Sequence, residues 1–402
     1  MGKMVLTGRG RRWVQGGHPW VYADDVAKGE GQPGELLPVY CPNEELLGWG
    51  LFSSESKISI RFVTREASQP NREFWRERIR GAVDRRQKLG LLDPDGACRL
   101  LSGDAESVPG LVVDRYRDVL VLQCGCQGAD RMRDFLVELI VEALPFPVRA
   151  VLDRSDLSVR RLEGLEPRVE WMHGSVDGPV EVVETAAVGE NAETPRLVYG
   201  VNLNEGHKTG HYLDQRRNRQ RAAEYARDKT FLDAFSYDGL FGVRAALAGA
   251  KEVLCLDQSA ACEERVRANA ELNGVADRVR FERGNAMHDL KRRENEGARF
   301  DVVVIDPPAF ARNKRELEGA KRGYKELNRR AISLSTPGGT VVTASCSHAM
   351  KRHEFESLIG QSALAVGRAT WILETTGAAP DHPVRAGLPE TDYLKCCFLS
   401  VE

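Results

Sequence analysis

From about residue 213 to the C-terminus, short apolar runs alternate with helical patterns. The runs are TFLDAF, EVLCLD, VRFERG, FDVVVID, GTVVTASC, TWILETT and YLKCCFLSV. Between them lie RAALAGA, AACEERVRANAELNG, KRELEGAKRGYKELNRRAISLS and KRHEFESLIGQSALAV. Strand-length runs separated by helix-length segments predict an α/β fold with a parallel, doubly wound sheet. The first 68 residues read differently. LLPVY, LLGWGLF and KISIRFV are short strands, punctuated by GHPW, GQPG, CPNEE and SSES, which predicts a small β-rich barrel. A helix is expected over 71–90, with Phe74, Ile79, Val83 and Leu89 as its apolar stripe. LVVDRY and VLVLQC then read as two strands joined at Arg117-Asp118. A helix at about 129–143 and strands near AVLDR, PRVEWMHG and VEVVET complete a mixed α+β region. LVYGVNLNEGHKTGHYL alternates like a strand or hairpin. The expected domains are 1–70, 71–190, a connecting hairpin at 191–212, and 213–402.

The bulk composition narrows the class. The chain has 402 residues, of which 42% are hydrophobic and 29% charged, as in globular proteins. No apolar run approaches the ~20 residues of a membrane helix. The basic N-terminus, MGKMVLTGRGRRW, lacks the apolar segment of a signal peptide. Nine scattered cysteines with no CxxC pair read as reduced thiols, not a zinc site, so a cytoplasmic, metal-free protein is expected. The net charge of -2 hides segregation: residues 312–330 hold eight basic and three acidic groups, and 162–195 hold eight acids and one arginine. Basic patches on a near-neutral chain suit contact with a polyanion.

Ligands of open α/β sheets sit beyond the carboxyl ends of the strands. The first such end reads DAFSYDGLFG, a glycine-containing turn without the GxGxxG that cradles a pyrophosphate. Asp257, 18 residues beyond Gly239, is placed to accept hydrogen bonds from ribose hydroxyls. Asn285 follows the third strand, where an adenine is read. Asp306-Pro307-Pro308-Ala309-Phe310 follows the fourth; its prolines fix the backbone, and Phe310 offers a flat apolar face. Cys346, between Ser345 and Ser347, follows the fifth. A ligand with a ribose and an adenine but no diphosphate is expected, and S-adenosyl-L-methionine fits.

Together LVYGVNLNEGHKTGHYLDQRRNR, FLDAFSYDGLFG, VLCLDQS, VIDPPAFARNK, ASCSH and DHPVRAGLPETDYLK resemble the bacterial 23S ribosomal RNA cytosine-5 methyltransferases that carry an N-terminal PUA domain. GRGRRWVQGGHPWVYADDV resembles the start of that PUA domain. The resemblance covers nearly the whole chain. It implies a class I methyltransferase fold, S-adenosyl-L-methionine as methyl donor, and RNA as substrate. The cofactor residues expected on this reading are Gln215, Asp233, Phe235, Ser236, Tyr237, Gly239, Asp257, Asn285 and Asp306. Two departures stand out: Asp238 and Leu240 replace the Thr and Gly of SYTGGF, and Asn285 stands where an acid is usual.

The resemblance also assigns Cys346 as the nucleophile. Covalent addition of a thiolate to C6 of cytosine activates C5 for methylation. Asp306 is then the natural partner, favouring protonation at N3. The DPPAF loop has no second cysteine, so another base or water must take the C5 proton, and His348 is a candidate. The target base must be single-stranded or flipped out. Phe310 is placed to stack on it, and Arg312 and Lys314 to hold phosphates. Arg9, Arg11 and Arg12 mark the N-terminal region as a second RNA contact. The alternatives are an RNA base N-methyltransferase that uses the DPPAF loop without a nucleophile, and a non-catalytic RNA-binding protein. The sequence leaves the oligomeric state open, with a homodimer among the options.

Overall fold

The computed structural model describes residues 2–186, 195–206, 208–311 and 315–402. The chain forms two compact units. The first comprises the chain up to Val182, Val201–Leu213 and Pro380–Thr391; the second comprises Val183–Gly200, Asp214–Ala379 and Asp392–Glu402.

The first unit opens with β1 (Lys3–Leu6), α1 (Gly8–Gln15), β2 (Trp20–Tyr22), β3 (Val26–Glu30), β4 (Leu36–Tyr40), β5 (Leu46–Phe52) and β6 (Ile58–Thr64). These strands form one sheet in the order β2-β6-β5-β4-β1-β3, with only β1 and β4 parallel. Met4, Leu6, Val21, Leu37, Val39, Ile60 and Phe62 are its core. Helix α1 was not expected, because GRGRRWVQ has two glycines and little apolar content. Thr7 Oγ1 caps it by accepting from Gly10 N at 3.0 Å. A Cβ on Gly10 would lie 2.6 Å from the Asp25 carbonyl oxygen, so the glycine permits close packing.

Next come α2 (Arg72–Lys88), β7 (Ala97–Ser102), β8 (Leu111–Tyr116), β9 (Val119–Cys124), α3 (Gln127–Ala143), β10 (Ala150–Ser155) and β11 (Arg168–His173). The sheet order is β11-β10-β9-β8-β7. Helix α2 buries Trp75, Ile79, Ala82, Val83 and Arg86. Its stripe thus runs one residue later at the start than the Phe74 expected. Arg117, at φ +57°, makes the tight β8–β9 turn. Strands β12 (Val180–Glu184) and β13 (Leu197–Val201) form a two-stranded ribbon. Residues 191–194 and His207 of the expected hairpin lie outside the described residues. In the rest of that stretch β13 is the strand formed, and it pairs with β12 rather than with a later one.

The second unit continues with α4 (Arg216–Ala223), β14 (Thr230–Ala234), α5 (Leu240–Leu247), β15 (Glu252–Asp257), α6 (Ala260–Leu272), β16 (Val279–Arg283) and α7 (Ala286–Asn295). It ends with β17 (Phe300–Ile305), α8 (Leu317–Leu334), β18 (Ser335–Ser345), α9 (Arg352–Val366), β19 (Thr370–Thr376) and β20 (Lys395–Val401). The seven-stranded sheet runs β16-β15-β14-β17-β18-β20-β19, and only β20 is antiparallel to its neighbours. The strand order reverses between β14 and β17, which places the ligand crevice at their carboxyl ends. Helices α4 and α7 were not expected. RRNRQRAA has almost no apolar face, and α7 buries only Ala286, Leu290 and Arg293.

A buried ion cluster explains α4. Glu184, at the end of β12, accepts from Arg219 Nε of α4 at 2.9 Å and from Arg244 Nη2 of α5 at 2.7 Å. Burial pushes the Glu184 carboxyl up, but Arg219, Arg244 and Arg216 outweigh it and hold the group down at about 2.

Candidate active site

The turn after β14 is held in an uncommon conformation. Phe235, Tyr237 and Gly239 take φ of +64°, +52° and +73°. Phe235 N and Ser236 N both donate to the Leu256 carbonyl, at 2.9 and 3.1 Å, which ties the turn to β15. At Gly239 a Cβ would meet Val266 at 2.8 Å. Three left-handed residues within five positions bend the backbone over the strand ends, a strain characteristic of ligand sites. Ser236 is 8% exposed, and its Oγ has no hydrogen-bond partner among the described residues. A buried hydroxyl without a partner suits a polar ligand.

Asp257 ends β15 half-buried. Its Oδ2 accepts from Tyr237 N at 3.1 Å and its Oδ1 from Ser259 N at 3.0 Å. The carboxylate is thus oriented by backbone, and each oxygen retains a lone pair for a diol. Asn285 is exposed and caps α7, its Oδ1 accepting from His288 N at 3.3 Å. The cap leaves its amide N–H groups as the donors it can offer. Gln215 is buried, and its Oε1 accepts from Asn218 Nδ2 at 2.6 Å. Asp233, 1% exposed, lies beneath the turn and accepts from Gly242 N at 3.0 Å. Burial pushes its carboxyl up to about 7, against the Gly242 hydrogen bond, with Asp306 and Asp257 adding to the rise. Three carboxyl groups therefore share one edge of the sheet, and the oriented Asp257 and the Ser236 hydroxyl suit an adenosine with no diphosphate.

The replacement residue Asp238 is absorbed by the fold. It is buried and paired with Arg265 Nε of α6 at 2.6 Å, while the same guanidinium lies 4.7 Å from the Tyr237 ring centroid.

On the other side of the switch point, Asp306 and Cys346 leave the adjacent strands β17 and β18, which pair in register at Ile305 and Thr343. Both are half-buried. All the other eight cysteines are buried. The serines beside Cys346 anchor it. Ser347 Oγ lies 2.9 Å from the Tyr324 hydroxyl of α8 and accepts from Ala311 N at 3.3 Å. Ser345 Oγ accepts from Ser347 N at 3.4 Å. Phe310 is half-buried, its ring 4.9 Å from that of Tyr324. His348 is exposed and stacks on Tyr393 at 5.4 Å.

Arg312 and Lys314 lie outside the described residues. Of the N-terminal arginines, all on α1 in the first unit, Arg9 pairs with Asp25 at 2.5 Å and Arg11 with Glu45 at 3.8 Å. Arg12 is exposed with no carboxylate partner among the described residues.

Two groups near Cys346 escaped the sequence reading. Tyr324 lies within the helical segment KRELEGAKRGYKELNRRAISLS and was not singled out. Lys395 lies within the run YLKCCFLSV and was not singled out either; it is 2% exposed, and its Nζ donates to the Ser347 and Tyr393 carbonyls, both at 2.8 Å. The signal available was a lysine inside a strand otherwise apolar.

Comparison with known proteins agrees with this geometry. Residues 155–376 match the S-adenosylmethionine-dependent methyltransferase family, and residues 4–65 a PUA-like domain. Two proteins named ribosomal RNA large subunit methyltransferase I are similar along their length. The one from Aeromonas hydrophila is 38% identical over 386 residues, and the one from Aliivibrio fischeri strain MJ11 is 36% identical over 382, each alignment covering 94% of both chains. Among solved structures, a methyltransferase complexed with SAH superposes with a TM-score of 0.84 at 20% identity, and a SAM-dependent methyltransferase from Streptococcus mutans with 0.82 at 19%. Each covers 100% of both chains and shares the fold. With a class I sheet, a crevice that suits S-adenosylmethionine and relatives of this identity over nearly its full length, the chain belongs to the ribosomal RNA large subunit methyltransferase I family.

Proposed function

We propose that the protein methylates C5 of a cytosine in large-subunit ribosomal RNA through a covalent adduct at Cys346. The observation that carries this reading is the placement of Cys346. It is the one cysteine of nine that is not buried, and it follows the carboxyl end of β18, beside the strand that Asp306 follows. The names of the relatives supply the ribosomal RNA, and the cytoplasm is where such a substrate is found.

Cytosine C5 is too weak a nucleophile to accept a methyl group unaided. The Cys346 thiolate adds to C6 and forms a C6–S bond, and the displaced electron pair moves to N3. Asp306 supplies a proton or a hydrogen bond at N3, which favours the addition. C5 is then the electron-rich end of an enamine. S-adenosylmethionine, held by Asp257, Ser236, Tyr237, Gln215 and Asn285, supplies an electrophilic methyl group when bound. Loss of the C5 proton to a base expels the thiolate and restores the aromatic ring; exposed His348 is the side chain to test as that base. Phe310, backed by Tyr324, is the surface on which a flipped base stacks.

The test is incubation of ribosomal RNA from a strain lacking this gene with the protein and methyl-labelled S-adenosylmethionine, followed by nucleoside analysis. Labelled 5-methylcytidine with the wild-type protein, and none with Cys346→Ala, is expected. A labelled purine, or full 5-methylcytidine with Cys346→Ala, overturns the proposal.

A further inference from the structure

We infer that Lys395 is the positioning charge that holds Cys346 as a thiolate at neutral pH. This rests on the reading of Cys346 as the nucleophile. A thiol on an apolar strand end is driven toward its neutral form by burial, and the other cysteines show this. Burial pushes Cys126, Cys262 and Cys397 up to about 11. A nucleophilic cysteine in such a protein needs a cation beside it.

Lys395 provides one. It begins β20 and pairs in register with Ser345 of β18, the residue before Cys346. Its Nζ is fixed by the carbonyls of Ser347, the residue after Cys346, and of Tyr393. The ammonium is therefore locked by two main-chain acceptors across the short segment that carries the thiol. Neither acceptor is a carboxylate, so its charge is not neutralised by them. Burial lowers Lys395 to about 8, while Asp392 and Cys346 raise it and Arg352 and Lys351 lower it. The interaction with Cys346 is reciprocal: a thiolate that favours the ammonium is favoured by it to the same degree. Among the described residues, the other titratable groups near the thiol include the Tyr324 phenol, which burial raises, the exposed His348 imidazole and the Asp306 carboxyl. Tyr324 is neutral near pH 7. Lys395 is thus the buried cation of the cluster among the described residues.

Burial of the other eight cysteines makes the test direct, because alkylation in the folded protein reads Cys346 alone, with Cys346→Ser as the blank. The rate of iodoacetamide alkylation is followed against pH. For the wild-type protein the midpoint is expected below the ordinary thiol value of about 8.5. A midpoint at or above that value overturns the inference without any substitution. Lys395→Met is expected to move the midpoint up by about one pH unit, which slows alkylation at pH 7 by about tenfold. Lys395→Arg, which keeps the charge, is expected to restore most of the shift. Coincident profiles for wild-type and Lys395→Met proteins that bind S-adenosylmethionine equally also overturn it. The nucleophile reading fails separately: a depressed, Lys395-dependent midpoint together with full 5-methylcytidine formation by Cys346→Ser leaves the ion pair standing and removes its catalytic purpose.

Discussion

At the scale of single residues, the strand-end groups were legible because each is local. Asp257, Asp306 and Cys346 directly follow apolar runs, so position and chemistry are read from a few neighbouring letters. Asp233 was placed at the right strand, but its state was not legible, since its burial depends on α5 packing above it. That state has a measurable consequence. A carboxyl raised to about 7 in the folded protein, against about 4 when unfolded, stabilises the fold fully below pH 4. The contribution is lost as pH rises through 7, because the unfolded chain gives up this proton first. Asp233→Asn removes the linkage while keeping an acceptor for Gly242 N. Its melting temperature is expected to fall less between pH 5 and pH 8 than that of the wild type. Parallel melting curves across this range would show that Asp233 does not hold its proton. Lys395 lies at the opposite extreme of legibility: its partners are main-chain carbonyls that only the β18–β20 pairing brings to it.

At the scale of elements, the apolar strands of the second unit emerged where the pattern placed them, and the helices with weak stripes did not. A helix such as α4 has no stripe to read, because it is fastened by charge. Arg219 of α4 and Arg244 of α5 converge on Glu184 of β12, and all three are buried. Removing the carboxylate takes from two buried guanidinium groups the acceptor on which they converge. Glu184→Ala is therefore expected to lower stability by roughly 3–5 kcal/mol, measured by urea unfolding at pH 7. A loss below about 1 kcal/mol would mean that α4 is secured by its apolar contacts alone. The carboxylate held down at about 2 also makes this cluster acid-resistant: its contribution is present above the ordinary glutamate value and is lost as pH falls toward 2.

At the scale of the whole molecule, the chain enters and leaves each unit more than once. Three prolines mark residues 380–391 as a loop between β19 and β20, but no local feature of the sequence says that they belong to the first unit. The reason is specific hydrogen bonding. Asp381 is buried; its carbonyl accepts from Arg86 Nη2 at 2.7 Å, its Oδ2 from Arg99 N at 2.9 Å, and its Oδ1 lies 2.9 Å from His382 Nδ1. Asp381→Ala strips Arg99 N and His382 of their partner. It is expected to destabilise the first unit by about 1–3 kcal/mol, read as faster proteolysis within residues 1–182. Unchanged cleavage there would show that the segment contributes no stability to that unit.

The same segment sets an order of events during synthesis. A ribosome adds roughly 5–20 residues per second, so some 10–40 s separate the translation of Val182 from that of Asp381. Throughout that interval Arg86, wholly buried in the finished protein, waits for the Asp381 carbonyl. The first unit therefore reaches its final structure only after Asp381 has been made, when every strand of the methyltransferase sheet except β20 has already been translated.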